Sequence, residues 1–221
     1  MNRRSESEAR VPSLRERIRE TTVQAILAAA EDVFADEGLH AAHMGTIAAK
    51  AGVSVGTLYN HFEDREAMLA GLLAARRAEL LGRIDDAIEA GAGRPLRERL
   101  RGILGAFGSH WQEHRKFVQI VLQREVGRYQ QTYPLACAKK HDTMRDIHAR
   151  IDGEMKRGVK ERSLTADAAE LGATFFLGMI RALIIRDAEG GGDMSADLDR
   201  LLDVFFDGMG PSSVEKGASA S

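Results

Sequence analysis

The chain has one cysteine, four prolines and only 5% aromatic residues in a length of 221. A lone Cys137 excludes an intramolecular disulfide framework and suits a reducing compartment. With no second cysteine or activating cluster nearby, it reads as an incidental thiol. The scarcity of proline leaves long stretches free to be helical, and no segment alternates with period two for long enough to argue for a sheet. An excess of charge of one sign is also missing: 31 Lys and Arg face 33 Asp and Glu, for a net charge of −2. No bulk positive field therefore points to nucleic acid, and such binding would depend on where individual cations sit. The greasiest run, Leu171 to Ile185, contains Arg181 and falls short of the ~20 residues of a membrane span. Met1 to Ser13 is charged and lacks the apolar region of a secretory signal. A cytoplasmic protein is expected.

What is present is helical periodicity. Apolar residues make up 44% of the chain and charged ones 29%, the balance of a globular protein with chain enough for a large core. Leu14, Ile18, Val23, Ile26, Leu27, Ala30, Val33 and Phe34 form one stripe, ended by Gly38. A later helix begins near Glu63-Asp64-Arg65-Glu66 and runs its apolar side through Met68, Leu69, Leu72, Leu73, Leu80 and Ile84. Ala90-Gly91-Ala92-Gly93-Arg94-Pro95 breaks the pattern. Beyond it the spacing predicts helices near 96–112, 116–128, 132–160, 166–188 and 195–208, with Pro134 in the first turn of the third and Ser195 capping the last. The fold class is all-α. The predicted division is a flexible arm (1–13), a helix-turn-helix domain (14–75), a helical bundle (76–210) and a polar tail (211–221).

The most informative segment is Thr46 to Phe62. Ile47, Ala48 and Ala51 mark the inner face of a short helix. Gly52 stands where a left-handed residue is wanted, and Ser54 is placed to cap a second helix. Leu58 and Phe62, four apart, would bury that helix, leaving Val55, Thr57, Tyr59, Asn60 and His61 toward solvent. A helix-turn-helix is built this way, with its second helix available to a DNA groove.

The same residues, taken with Ala28 to Gly38, Gly56-Thr57-Leu58-Tyr59, His61-Phe62 and Arg65-Glu66, resemble the tetracycline-repressor (TetR) family of transcriptional regulators over about 55 residues. The resemblance implies that Val55, Thr57 and Asn60 approach base edges or nearby sugar-phosphate. It implies that Tyr59 and His61 donate to phosphates, and that Arg65 pairs with a phosphate. Base-edge contacts carry sequence information, whereas phosphate contacts fix register. Two departures stand out. His43 and Thr46 occupy the places of the usual capping box, and Gly45 replaces a polar residue. Thr46 is then either the cap of a shortened helix or a DNA contact. The arginines of the arm and first helix offer compensating backbone or minor-groove contacts.

The resemblance also implies that the bundle dimerises and binds an effector. Phe176, Ile180, Leu183, Leu201 and Phe205 are the expected dimer interface, supplied by the last two helices. Phe107, Trp111, Phe117, Val121, Met144, Ile147, Phe175 and Met179 are the candidates to line a pocket, and ordinary core packing is the alternative for each. Their character points to a hydrophobic small molecule. Double-stranded operator DNA, such an effector and a second copy of the chain are the expected partners, with no membrane, cofactor or metal. The expected activity is ligand-responsive repression by a homodimer. Two rival readings stay open. His110-Trp111-Gln112-Glu113-His114 fits the H-x-x-E-H pattern of a zinc-dependent hydrolase needing a distant third ligand. A DNA-binding adaptor controlled by a protein partner is the other.

Overall fold

The computed structural model describes residues 13–128, 143–192 and 194–208, with side chains at all of these except 120–128, 143 and 195. Tyr133, Pro134, Cys137 and the 132–142 part of the predicted long helix lie outside the described residues. Among those described, every regular element is helical: α1 (Leu14–Glu37), α2 (Met44–Lys50), α3 (Val55–Tyr59), α4 (Arg65–Ala90), α5 (Leu96–Arg128), α6 (Thr143–Lys160), α7 (Ala166–Ala188) and α8 (Met194–Asp207). The chain divides into two compact units, one ending at Leu73 and one starting at Ala74, so the boundary falls inside α4.

In the first unit, α1 starts from a reciprocal cap. Ser13 Oγ accepts from the Glu16 amide at 3.3 Å, and a Glu16 carboxylate oxygen accepts from the Ser13 amide at 2.6 Å. The core is formed by Ile26, Leu27, Ala30, Val33 and Phe34 of α1, Ile47 and Ala48 of α2, Leu58 of α3, and Met68 and Leu72 of α4. Only the second half of the expected α1 stripe is buried: Leu14 and Ile18 are 64% and 58% exposed. Periodicity identifies the apolar face of a helix, but it does not report how far along that face a partner reaches.

In the second unit, one core joins five helices. Leu80 and Ile84 of α4 meet Leu100, Ile103, Leu104 and Phe107 of α5, together with Ile147, Ile151 and Met155 of α6. Ala173, Phe176 and Ile180 of α7 and Leu201 and Leu202 of α8 complete it. Helix α5 covers both predicted segments 96–112 and 116–128, and its φ/ψ depart from helical at His114 (φ −113°, ψ 15°), between the two. Helix α8 begins at Met194, so Ser195 lies inside the helix rather than at its cap. Helix α7 has 23 residues and a mean hydropathy of 1.7 over its most apolar window, longer than the run read from sequence and sufficient by length and composition to cross a membrane. Here it packs on α5, α6 and α8.

A buried ion network closes the lower bundle. The fully buried Arg99 guanidinium bonds Glu154 and the Arg94 carbonyl, and bonds Glu161 at 2.9 Å. Two carboxylates and a carbonyl replace water at Nε and Nη1, while the buried Nη2 has no hydrogen-bond partner among the described residues.

Candidate nucleic-acid interface and effector bundle

His43 stands at the N-cap of α2, extended and making no side-chain cap bond among the described residues. The missing cap read from sequence is therefore present in the structure as an absence of that bond. Thr46 is the third residue of the helix, so it does not cap a shortened one. The corner follows at Gly52, whose φ of +69° is disfavoured for any residue with a Cβ. The Val53 amide returns to the Ala48 carbonyl at 3.0 Å, and Ser54 caps α3 by accepting from the Thr57 amide at 3.0 Å.

Leu58 is the anchor of α3, fully buried, whereas Val55 and Tyr59 are 46% and 50% exposed. Asn60 is exposed and Thr57 and His61 are half-buried. The Phe62 ring seats against α4 at Gly71, where an added Cβ would lie 2.8 Å from Phe62 Cε1. Asp64 then starts α4 by accepting from the Ala67 amide at 2.7 Å. The result is a short helix held by one leucine at its centre, a serine at its start and a phenylalanine after its end. It presents Val55, Tyr59 and Asn60 outward.

Two cations near this helix are already engaged. Arg65 donates to the His40 carbonyl, in the connection between α1 and α2, and lies 3.4 Å from Glu66. Lys50 at the end of α2 pairs with Asp32 of α1 at 3.0 Å. Sequence reading missed the Arg65–His40 tie, because a bond from a side chain to a distant carbonyl leaves no periodic trace.

In the bundle, the expected pocket residues separate into groups. Phe107 and Ile147 are within the main core. Phe117 is buried, and Trp111 is buried with its indole N–H donating to Asp187 Oδ2 at 2.6 Å. Met179 is half-buried, and the side chain of Val121 lies outside those described. Met144 and Phe175 are 51% and 61% exposed, so they face outward and do not line an interior cavity.

The expected interface residues divide by burial. Phe176, Ile180 and Leu201 are buried within the protomer, and Phe176 meets the Phe205 ring edge-on at 5.4 Å. Leu183 and Phe205 are half-buried. The outward face of α7 carries Leu171, Phe175, Gly178, Ala182 and Ile185 instead. Their alternating steps of four and three residues form a seam of coiled-coil type. Helix α7 is thus apolar on two neighbouring faces, one buried in the protomer and one exposed.

The H-x-x-E-H residues do not converge as a peptidase needs. Glu113 is bound to Arg83, which also reaches Glu79 at 2.7 Å. It is Glu79 of α4 that faces the histidines: His114 Nε2 is 3.3 Å from Glu79 Oε2 and His110 Nδ1 is 3.9 Å from Glu79 Oε1. Burial holds the pKa of His110 down, to about 4, with the neighbouring His114 acting in the same direction and Glu79 opposing it. The imidazole is therefore neutral at pH 7.

A glycine-cornered helix pair N-terminal to an all-helical bundle is the architecture of a helix-turn-helix protein. Residues 26–72 match the bacterial regulatory proteins of the tetR family. The chain is 36% identical over 64 residues to the HTH-type transcriptional regulator UidR of Escherichia coli (strain K12), a match covering 29% of this chain and 33% of UidR. That sequence match thus spans about a third of the curated relative's length. The structure is similar to the crystal structure of FadR from Bacillus subtilis in complex with stearoyl-CoA, with a TM-score of 0.70 and 21% identity over 85% of this chain and 99% of that one. It is similar as well to a TetR-like transcriptional regulator from Rhodococcus sp. RHA1, with a TM-score of 0.62 and 27% identity over 90% and 98% of the two chains.

Proposed function

We propose that this protein is a sequence-specific DNA-binding transcriptional regulator, non-enzymatic and cytoplasmic, that represses as a homodimer until a small apolar effector binds its bundle. The observation that carries this reading is the α2–Gly52–α3 corner, capped by Ser54 and anchored by Leu58, which leaves Val55, Tyr59 and Asn60 exposed on one short helix. In this reading Val55, Thr57 and Asn60 meet base edges, Tyr59 and His61 meet phosphates, and Thr46 contacts the backbone from the first turn of α2. Arg65 first positions the α1–α2 connection and reaches phosphate only from that tethered state.

The dimer forms along the Leu171–Phe175–Gly178–Ala182–Ile185 seam, so that two heads meet a pseudo-palindromic site. FadR's complex with stearoyl-CoA supports a hydrophobic effector class. Such an effector acts only if it binds the DNA-competent and incompetent states unequally. Helix α4 belongs to both units and is the natural carrier of that difference. Selection from a random duplex pool with the full chain tests the reading. Enrichment of a pseudo-palindrome with half-sites about one helical turn or a multiple apart is expected. Failure to enrich any sequence over the starting pool overturns it.

A further inference from the structure

We propose that Glu79 of α4 and His110 and His114 of α5 form a binding site for one divalent transition-metal ion of the zinc, nickel or cobalt class. One ligand atom from each residue lies within 4.8 Å of the others. The His114 Nε2 to Glu79 Oε2 distance of 3.3 Å already equals the ~3.3 Å edge of a tetrahedron with metal bonds of ~2.0–2.1 Å. The His110 Nδ1 to Glu79 Oε1 distance of 3.9 Å requires only a small closure.

The second observation is independent of the cluster. His110 Nδ1 is buried and lacks a hydrogen-bond partner among the described residues. Buried polar nitrogens are almost always satisfied, and a metal placed between this nitrogen and Glu79 would satisfy it. The ring centroids of His110 and His114 are 4.7 Å apart with their planes tilted by 58°.

Two imidazoles and one carboxylate favour a borderline transition metal over calcium or magnesium, which prefer all-oxygen shells. They leave one tetrahedral position for water or a further ligand. Arg76 at 2.9 Å and Arg83 at 2.7 Å share the Glu79 carboxylate. A metal must compete with them, and Arg83 keeps Glu113 when it yields. The site would fasten α4 to α5 at the point where α5 departs from helical geometry.

The test uses the full chain, stripped with chelator and titrated with zinc chloride by calorimetry, with bound metal measured by mass spectrometry. Cobalt chloride serves as a spectroscopic probe, read in visible absorption and in quenching of Trp111, the only tryptophan and the residue after His110. One ion per chain is expected, with Glu79→Gln and His110→Ala each weakening binding by roughly tenfold or more and His148→Ala leaving it unchanged. Glu79→Gln preserves side-chain volume at a half-buried position, so it stays informative if His110→Ala unfolds. Absence of saturable one-to-one binding overturns the proposal. So does unchanged zinc affinity in folded Glu79→Gln.

Discussion

Ser54 Oγ lies 2.8 Å from Thr57 Oγ1 while accepting the Thr57 amide, so one serine caps α3 and restrains the side chain of its third residue. Ser54→Ala is expected to cost about 1 kcal/mol, as loss of an N-cap usually does. Chemical denaturation of the chain measures it, and an unchanged midpoint would show that the cap is energetically silent here.

Freed from Ser54 or removed outright, the Thr57 hydroxyl should matter to sequence choice. Thr57→Ala should change preference at one operator position, as read by repeating the selection. Tyr59→Ala should instead weaken all sequences alike and reduce the slope of log affinity against log salt by about one unit. Arg65→Ala should differ from both by also lowering the melting temperature, because it removes the bond to the His40 carbonyl. Equal melting of the Arg65 and Tyr59 variants would count against that tie.

Adjacent phenylalanines on α7 separate fold from assembly. Phe176 is fully buried and Phe175 is 61% exposed. Phe176→Ala is expected to cost about 3–5 kcal/mol, the range for emptying an aromatic core site. Phe175→Glu should leave helicity and melting of the protomer intact and shift sedimentation from dimer to monomer. A folded dimeric Phe175→Glu would place the interface off the α7 seam.

At Arg99 the expected asymmetry is between breaking and replacing a buried pair. Arg99→Met alone should destabilise by about 3–5 kcal/mol, since it strands the 5% exposed Glu154. Adding Glu154→Leu should recover most of that loss. Urea unfolding of the single and double variants measures the difference.

The parts legible in the sequence were those set by local rules. Gly52, Ser54 and Leu58 define the corner through φ, capping and burial, and each of these leaves a sequence signature. The break near His114 was visible as a gap between two periodic runs. Helix α7 was legible in extent but its buried face was not, because Phe175 and Phe176 are equally apolar and only the packing of α6 and α8 chooses between them. The burial limit of α1 at Ile26, the Arg65–His40 bond and the place of Glu79 beside the histidines were illegible. They depend on residues brought together from well separated parts of the chain. The pattern His110–Glu113–His114 pointed to a distant third ligand, and the carboxylate beside the two histidines is that of Glu79. Glu113 is held by Arg83 instead.

Gly178 sits inside α7, where glycine costs about 1 kcal/mol relative to alanine. A Cβ built there would meet no atom of the described residues within 4 Å, so the folding of a single chain does not call for the missing side chain. In the proposed dimer, smallness at this position lets the partner's α7 approach closely. Residue 178 is therefore a spacer whose size can be changed without disturbing the protomer. If α7 pairs with its copy along the proposed seam, substituting alanine, serine and then leucine at this point would step the two helices apart by graded amounts, converting a silent position of the monomer into a dial on the dimer.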